Sequence, residues 1–359
     1  MRPRPRPRRR LIALLSLTAA LTLVLAACGS SSKNASSGTG AGSAGGSGSV
    51  TLRLGYFGNV THAPALIGVT NGSFKTALGS NVTLKTSTFN SGSEAVTALL
   101  AGALDASFVG PNPAINAYQK TNGAVRIVAG TASGGAFFVV KPSINSAADL
   151  KGKKIATPQL GNTQDVALRT WLNDNGLHET SSGGDVTIVP EDNSVTLTAF
   201  EQGIIDGAWV PEPWATRLVK EGGGKVLVDE STLWPKGQFT TTVLIVTTKF
   251  LNAHPDVVQN LLGGLVDAVD LTKSNPSQAQ QLTGQGIKAV TGKALKPSLI
   301  SASFAHITFT LDPIESSLQT AADHAKALGF LKSSDLGNIV DLTILNKVLQ
   351  AKGQPTVQP

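Results

Sequence analysis

Ser93-Glu94-Ala95-Val96-Thr97-Ala98-Leu99-Leu100-Ala101-Gly102-Ala103-Leu104-Asp105-Ala106-Ser107-Phe108-Val109 is echoed, 101 residues further on, by Ser194-Val195-Thr196-Leu197-Thr198-Ala199-Phe200-Glu201-Gln202-Gly203-Ile204-Ile205-Asp206-Gly207-Ala208-Trp209-Val210. Ser93, Thr97, Ala98, Gly102, Asp105, Phe108 and Val109 meet Ser194, Thr198, Ala199, Gly203, Asp206, Trp209 and Val210. Each copy reads as a helix, a Gly-x-x-Asp turn and a short strand that ends in a Pro-containing loop. Gly102 and Gly203 serve as helix C-caps. Upstream, Asn81-Val82-Thr83-Leu84 is echoed by Asp185-Val186-Thr187-Ile188, a short β-branched strand in each case. Strand, helix and strand in this order imply parallel pairing through a right-handed crossover. Open α/β sheets bind ligands at their carboxyl edges, where both of these units end in loops.

The flanking chain extends the pattern. Thr51 to Tyr56 alternates, with Leu52, Leu54 and Tyr56 on one face of a first strand. Further strands are expected over Ala124 to Gly130, Gly135 to Lys141 and Thr240 to Thr248. Val257, Leu261, Leu262, Leu265, Val266 and Val269 follow helical spacing behind His254-Pro255. The tail from Ser298 to Leu349 reads as mostly helical, broken at Asp312-Pro313 and Gly329. The 310 residues from Val50 onward exceed what one hydrophobic core usually serves, so two lobes are expected.

Residues before Val50 are of another kind. Six arginines with no acid precede an apolar run from Leu11 to Ala27, and Leu25-Ala26-Ala27 leads into Cys28, the single cysteine of the chain. A basic head, an apolar middle and small residues before a cut site make a secretory signal over residues 1–27. Leu-Ala-Ala-Cys resembles the lipobox of bacterial lipoproteins, whose cysteine is acylated and becomes the new N-terminus. Residues 28–49 are almost wholly Gly, Ser and Ala, a flexible tether. Lipid anchoring to the outer face of a membrane is the expectation, rather than a spanning helix.

Charge gives little support to a nucleic-acid-binding protein. Net charge is +7, but without the six leader arginines 24 basic face 23 acidic residues. No basic cluster interleaved with aromatics follows, so nucleic acid is not an expected partner. One cysteine allows no intrachain disulfide, and His62, His178, His254, His306 and His324 are scattered. No metal or cofactor is expected.

The chain from Val50 to about Lys352 resembles the bacterial solute-binding proteins of ABC importers for nitrate, taurine and aliphatic sulfonates. The resemblance rests on Leu54-Gly55-Tyr56-Phe57, on Ala98 to Asp105 before Gly110-Pro111-Asn112-Pro113, and on Ala148-Asp149-Leu150-Lys151-Gly152-Lys153. Gly161-Asn162-Thr163 and Val210-Pro211-Glu212-Pro213-Trp214 complete it. It implies an α/β, two-lobe periplasmic-binding-protein-like fold of type II. Each lobe would be a mostly parallel sheet flanked by helices, with two hinge strands and a ligand cleft between. The crossings would fall near Phe138 to Lys141 and Val243 to Thr247. Lobe 1 would take residues 50–138 and 246–355, and lobe 2 residues 139–245. The implied partners are a small solute, an ABC permease and its ATPase, and the membrane through the N-terminal lipid, with the protein acting as a monomer.

Three helix starts offer N–H groups to an anion. They are Asn162-Thr163-Gln164, Ser91 to Glu94 at capping-box spacing with Ser93 inside it, and Pro111-Asn112-Pro113 with Asn112 as the cap. Asp165 in the first turn threatens to satisfy its own helix end. Glu212, stiffened by two prolines, is a candidate for a ligand amine or hydroxyl, and Trp209 and Trp214 for its carbon chain. Phe57, Asn59 and His62 follow the first strand, where the resemblance places part of the cleft, and Ser133 completes the set. Lys236 is a further anion candidate.

The expected function is delivery of an aliphatic sulfonate, taurine or nitrate to an import permease. A thiamine or other vitamin precursor, or a different heteroaromatic, is the alternative cargo. An enzyme is disfavoured: the pyrimidine-precursor synthases of the same fold family carry a cysteine-rich motif that this chain lacks. Intact-mass measurement of the native protein should show an acyl increment on Cys28. Cys28→Ala should give soluble protein or an uncleaved precursor, and an unmodified native mass would contradict the anchor.

Overall fold

One aspartate in each repeat ties the foot of its sheet. Asp105 Oδ2 accepts from the Arg53 amide at 2.8 Å and from Arg53 Nε at 2.8 Å, while the Asp105 amide donates to Arg53 O at 2.9 Å. Asp206 repeats this on Lys154: Oδ2 accepts from the Lys154 amide at 2.9 Å, and the Asp206 amide donates to Lys154 O at 2.7 Å. Arg53 and Lys154 also stand 101 residues apart, so the sequence echo is a structural one.

The computed structural model describes residues 49–358, so the leader, Cys28 and all but the end of the linker lie outside the described residues. Strands β1 (Val50–Phe57), β2 (Val82–Phe89), β3 (Ala106–Val109) and β4 (Val125–Gly134) belong to the first sheet. Strands β5 (Ala136–Val140), β6 (Lys154–Thr157), β7 (Thr187–Pro190), β8 (Gly207–Pro211) and β9 (Lys225–Asp229) form the second. β10 (Thr240–Thr247) and β11 (Ile307–Thr308) return to the first. The orders are β2-β1-β3-β10-β4-β11 and β7-β6-β8-β5-β9. In each sheet three parallel strands meet one antiparallel strand, β10 or β5, that the chain lays down after crossing over.

The chain leaves the first sheet at Gly134 and enters the second at Ala136, a few residues ahead of the Phe138 to Lys141 stretch expected from sequence. Gly134 and Gly135 both hold positive φ (83° and 71°), the left-handed region that glycine adopts without strain. A Cβ on Gly135 would also stand 2.5 Å from Ile307 Cγ1. Phe138 is fully buried in the second sheet's core. The return runs through residues 230–239, again ahead of the expected Val243 to Thr247, which lies inside β10.

Helices α1 (Ala63–Thr70), α2 (Ser73–Leu78), α3 (Gly92–Leu100) and α4 (Pro111–Lys120) connect the first sheet. α5 (Thr163–Asp174), α6 (Asn193–Glu201) and α7 (Trp214–Lys220) connect the second. The rest of the chain supplies α8 (Thr248–Ala253), α9 (Pro255–Ser274), α10 (Pro276–Thr291), α11 (Pro297–Phe304), α12 (Glu315–Ala327) and α13 (Thr343–Ala351). Strand periodicity sorts the cores. Leu244 and Val246 of β10 face the cluster with Leu261, Leu265 and Val266 of α9, while Val243 and Ile245 face Ile115 and Leu318. In β5, Phe138 and Val140 pack with Trp209, and Phe137 and Val139 with Leu218. Among the described residues no helix is long and apolar enough to cross a membrane.

Asp105→Ala should lower stability by about 1–3 kcal/mol, because it leaves the part-buried Arg53 amide without its acceptor and breaks an ion pair whose carboxylate is buried but whose arginine is exposed. Asp267→Ala, which removes the exposed Lys352 partner, should cost under about 1 kcal/mol. Urea denaturation checks both, and equal costs would contradict the role given to Asp105.

Candidate functional site

The carboxyl edges of the two sheets face each other across a small cavity of about 40 Å³. Phe57, Asn59, Thr61 and His62 reach it from the end of β1, Asn90 to Gly92 from the start of α3, and Gly110 and Pro113 from the start of α4. From the second sheet come Pro158, Asn162, Thr163 and Gln164 around the start of α5, Asn193 at the start of α6, and Pro211; Thr241 of β10 closes the wall. No lining residue is Asp, Glu, Lys or Arg.

Donors nevertheless converge there. The first N–H groups of a helix have no partner within it. Among the described residues, the amides of Gly92, Thr163, Gln164 and Asn193 donate to no protein acceptor. Ser91 Oγ and Thr163 Oγ1 are buried hydroxyls without a hydrogen-bond partner; Asn193 Oδ1, an acceptor, is also unpartnered. Gly110 lets the two sides meet: a Cβ there would stand 2.5 Å from Thr163 Oγ1.

His62 adds a neutral donor. Its ring stacks on Phe57 with centroids 4.4 Å apart, and Nδ1 accepts from the Phe57 amide at 3.4 Å, which assigns the proton to Nε2. Burial pushes its pKa down to about 3, so the imidazole is uncharged at neutral pH.

Asp165 does not occupy the helix end as feared. Its buried carboxylate accepts from Thr157 Oγ1 (2.9 Å), the Gly161 amide (2.8 Å) and Arg169 Nε (2.8 Å). Arg169 also pairs with Glu179. Only the Gly161 amide is consumed, and Arg169 compensates the charge. Asn162 Oδ1 caps the Asp165 amide at 3.0 Å, leaving the Thr163 and Gln164 amides to the cavity.

Seven sequence candidates thus gather at the cavity: Phe57, Asn59, His62, Ser91, Asn162, Thr163 and Gln164. The others go elsewhere. Ser91 forms no cap, and Ser93 is exposed, its amide donating to Gln159 Oε1 at 3.2 Å. Gly110, not Asn112, is the N-cap of α4; Pro111 and Asn112 lie inside its first turn, and Asn112 Nδ2 donates to Ala321 O at 3.2 Å. Ser133 Oγ accepts from the Phe239 amide at 3.3 Å. Trp209 is core, stacked on Phe138 at 5.4 Å, with Nε1 donating to Glu230 at 2.7 Å. Glu212 turns its buried carboxylate to the Thr216 amide (3.1 Å), Thr216 Oγ1 (2.7 Å), Ser303 Oγ (3.0 Å) and His306 Nδ1 (2.6 Å). Trp214 is half-buried and donates from Nε1 to Asn59 Oδ1 at 2.9 Å, and Lys236 is exposed and off the cavity.

Sequence reasoning missed Thr61, Asn90, Gly110, Pro158, Asn193 and Thr241. Asn193 was within reach, since it stands 101 residues after Gly92, in the same place at the start of a helix.

Comparison with known proteins agrees with this architecture. The NMT1-like family matches residues 45–284. The chain belongs to that family. It is similar to the taurine-binding periplasmic protein of Escherichia coli (strain K12), 31% identical over 217 residues, or 59% of this chain and 64% of that protein. The match therefore spans less than two thirds of that relative. Among solved structures it resembles the alkanesulfonate-binding protein SsuA from Xanthomonas axonopodis pv. citri bound to MOPS. There the TM-score is 0.68 at 21% identity, over 81% of this chain and 98% of that one. The periplasmic nitrate-binding protein NrtA from Synechocystis PCC 6803 gives 0.68 at 15% identity, over 84% and 89%. At such identities the likeness shows the fold, which is periplasmic-binding-protein-like.

Two buried groups give opposite pH signatures. Burial pushes Glu230 up to about 7, even though Trp209 and Trp234 donate to it. His62 binds its proton only when unfolded, so its contribution raises stability as pH rises from about 3 to 6.5. Glu230 holds its proton longer when folded, so its contribution is lost as pH rises from 4.5 to about 7. Between pH 4.5 and 6.5 these oppose. Over that window His62→Gln should tilt the wild-type stability profile downward with pH by about 1.4 kcal/mol per unit, and Glu230→Gln upward by as much. Denaturation at several pH values checks this, and variant profiles parallel to wild type would contradict it.

Proposed function

We propose that this chain is the extracytoplasmic solute-binding component of an ABC importer and that its cavity holds the monoanionic oxyanion group of a sulfonate-class solute. The observation that carries this reading is a cavity of N–H and O–H donors with no charged side chain. Helix N-termini stabilise an anion through partial charge and need no counter-ion. A strongly ionised, weakly basic group suits such donors, whereas phosphate takes a second charge and usually draws Arg or Lys. Nitrate meets the same requirement. For a flat heteroaromatic, Trp209 offers no stacking face, since it is committed to the core.

The reading includes export by the 1–27 signal, anchoring through lipid on Cys28, two lobes that close on solute, and delivery by a monomer to a permease driven by its ATPase. Binding rather than catalysis is supported by the taurine-binding relative.

Titration calorimetry on the purified protein should rank methanesulfonate above inorganic phosphate at pH 7. Thr163→Val should weaken methanesulfonate about tenfold or more, the scale of one lost hydrogen bond to a charged group. Tighter phosphate binding, or an unaffected Thr163→Val, would contradict the assignment.

A further inference from the structure

A second chamber of about 250 Å³ abuts the first and shares Asn59, Asn90 and Asn193 with it. Its character is different. Leu197, Val290 and Leu295 give it apolar wall, and Trp214 gives it an aromatic one. Arg217 lies over the Trp214 ring, 4.9 Å from the centroid, and its Nε donates to Glu221 at 2.8 Å, so its charge is largely spent. Lys293 also lines the chamber, is exposed, and is in no ion pair among the described residues.

Asn193 marks the junction. It is buried, its Oδ1 has no partner, and it lines both chambers. Asn59 is fixed there by Trp214. The inner chamber has room for an ionised head group and little else, so any remaining part of a ligand must pass between the asparagines. Beyond them it meets apolar surface, an aromatic face and then an unpaired cation.

We propose that the outer chamber is a tail subsite and that the solute is an organosulfonate with several carbons and a second anionic group at its far end, in preference to nitrate or taurine. This rests on the inner chamber holding the sulfonate. Apolar wall rewards carbon chain, at about fourfold in affinity per buried methylene. Lys293 rewards a distal anion. An ammonium in the same place faces Arg217 and Lys293, and no carboxylate lines either chamber; Glu94 and Asp192, on the flanking helix starts, line neither.

Calorimetry with methanesulfonate, butanesulfonate, 1,4-butanedisulfonate and taurine tests the two levels separately. The expected order is disulfonate, then butanesulfonate, then methanesulfonate, with taurine below butanesulfonate. Lys293→Met should weaken the disulfonate about fivefold, as for an exposed ion pair, and leave butanesulfonate unchanged. Leu197→Asn should weaken both four-carbon ligands and spare methanesulfonate. If methanesulfonate binds but chain length, the second charge and both substitutions make no difference, the tail subsite is wrong and the inner site stands. Taurine binding more tightly than butanesulfonate overturns the subsite's charge preference. If no sulfonate binds at all, the inner-site reading falls and the subsite with it.

Discussion

The cleft depends on one aspartate at the foot of each sheet. Asp105 and Asp206 each bond the backbone of the middle one of their sheet's three parallel strands, on both its N–H and its C=O. They also lock the antiparallel strand, since Asp105 O accepts from Thr247 and Asp206 O from Lys141. With strand starts aligned at one end, the carboxyl ends come level at the other, and the following helices all begin at one edge. Two such edges, joined by the chain at Gly134-Gly135 and again through residues 230–239, leave a gap bordered by helix starts.

That geometry determines the electrostatics. A cavity lined by full charges has to hold them desolvated when it is empty, which is costly without partners. Near the edge, Asp165 is paired with Arg169, and Glu212 is held by Thr216, Ser303 and His306, while Glu94 and Asp192 lie outside the cavity lining. What is left to the cavity is amide, hydroxyl and neutral imidazole. These donors favour an anion while repelling no empty-state water, and they penalise a second charge that has no counter-ion. Glu212 has become a tie: its carbonyl accepts from Val60 and its side chain reaches α11, so it joins segments of the chain that the two sheets would otherwise leave apart.

The fold was largely legible because it is written twice. Matching residues 101 apart predicted the two units, their parallel pairing and the edge at which they end, while alternation in β1, a continuous apolar run in β5 and a β-branched run in β10 predicted those strands. Boundaries were less legible: the family resemblance put the crossing near Phe138 to Lys141, whereas the turn is made by Gly134 and Gly135, whose left-handed φ no pattern of burial reveals. At the site, residues chosen as helix starts mostly fall at the cavity, because capping chemistry is local. Residues chosen by side-chain type mostly lie away from it. Trp209 and Glu212 look like ligand contacts, but Trp209 continues the core face of β8, and Glu212 finds partners in Ser303 and His306, some ninety residues away in sequence. Their fates are tertiary. The same is true of Asn112, which a helix beginning two residues later would have made a cap.

The central claim is that an anion is held here without a formal positive charge. A crystal structure of the protein with butanesulfonate is the direct measurement. The account predicts sulfonate oxygens within hydrogen-bond distance of the Thr163 and Gln164 amides, Thr163 Oγ1, Ser91 Oγ and His62 Nε2, with no Lys or Arg within about 4 Å of them. A sulfonate seated instead on Arg217 or Lys293, with the inner cavity holding only water, would contradict it.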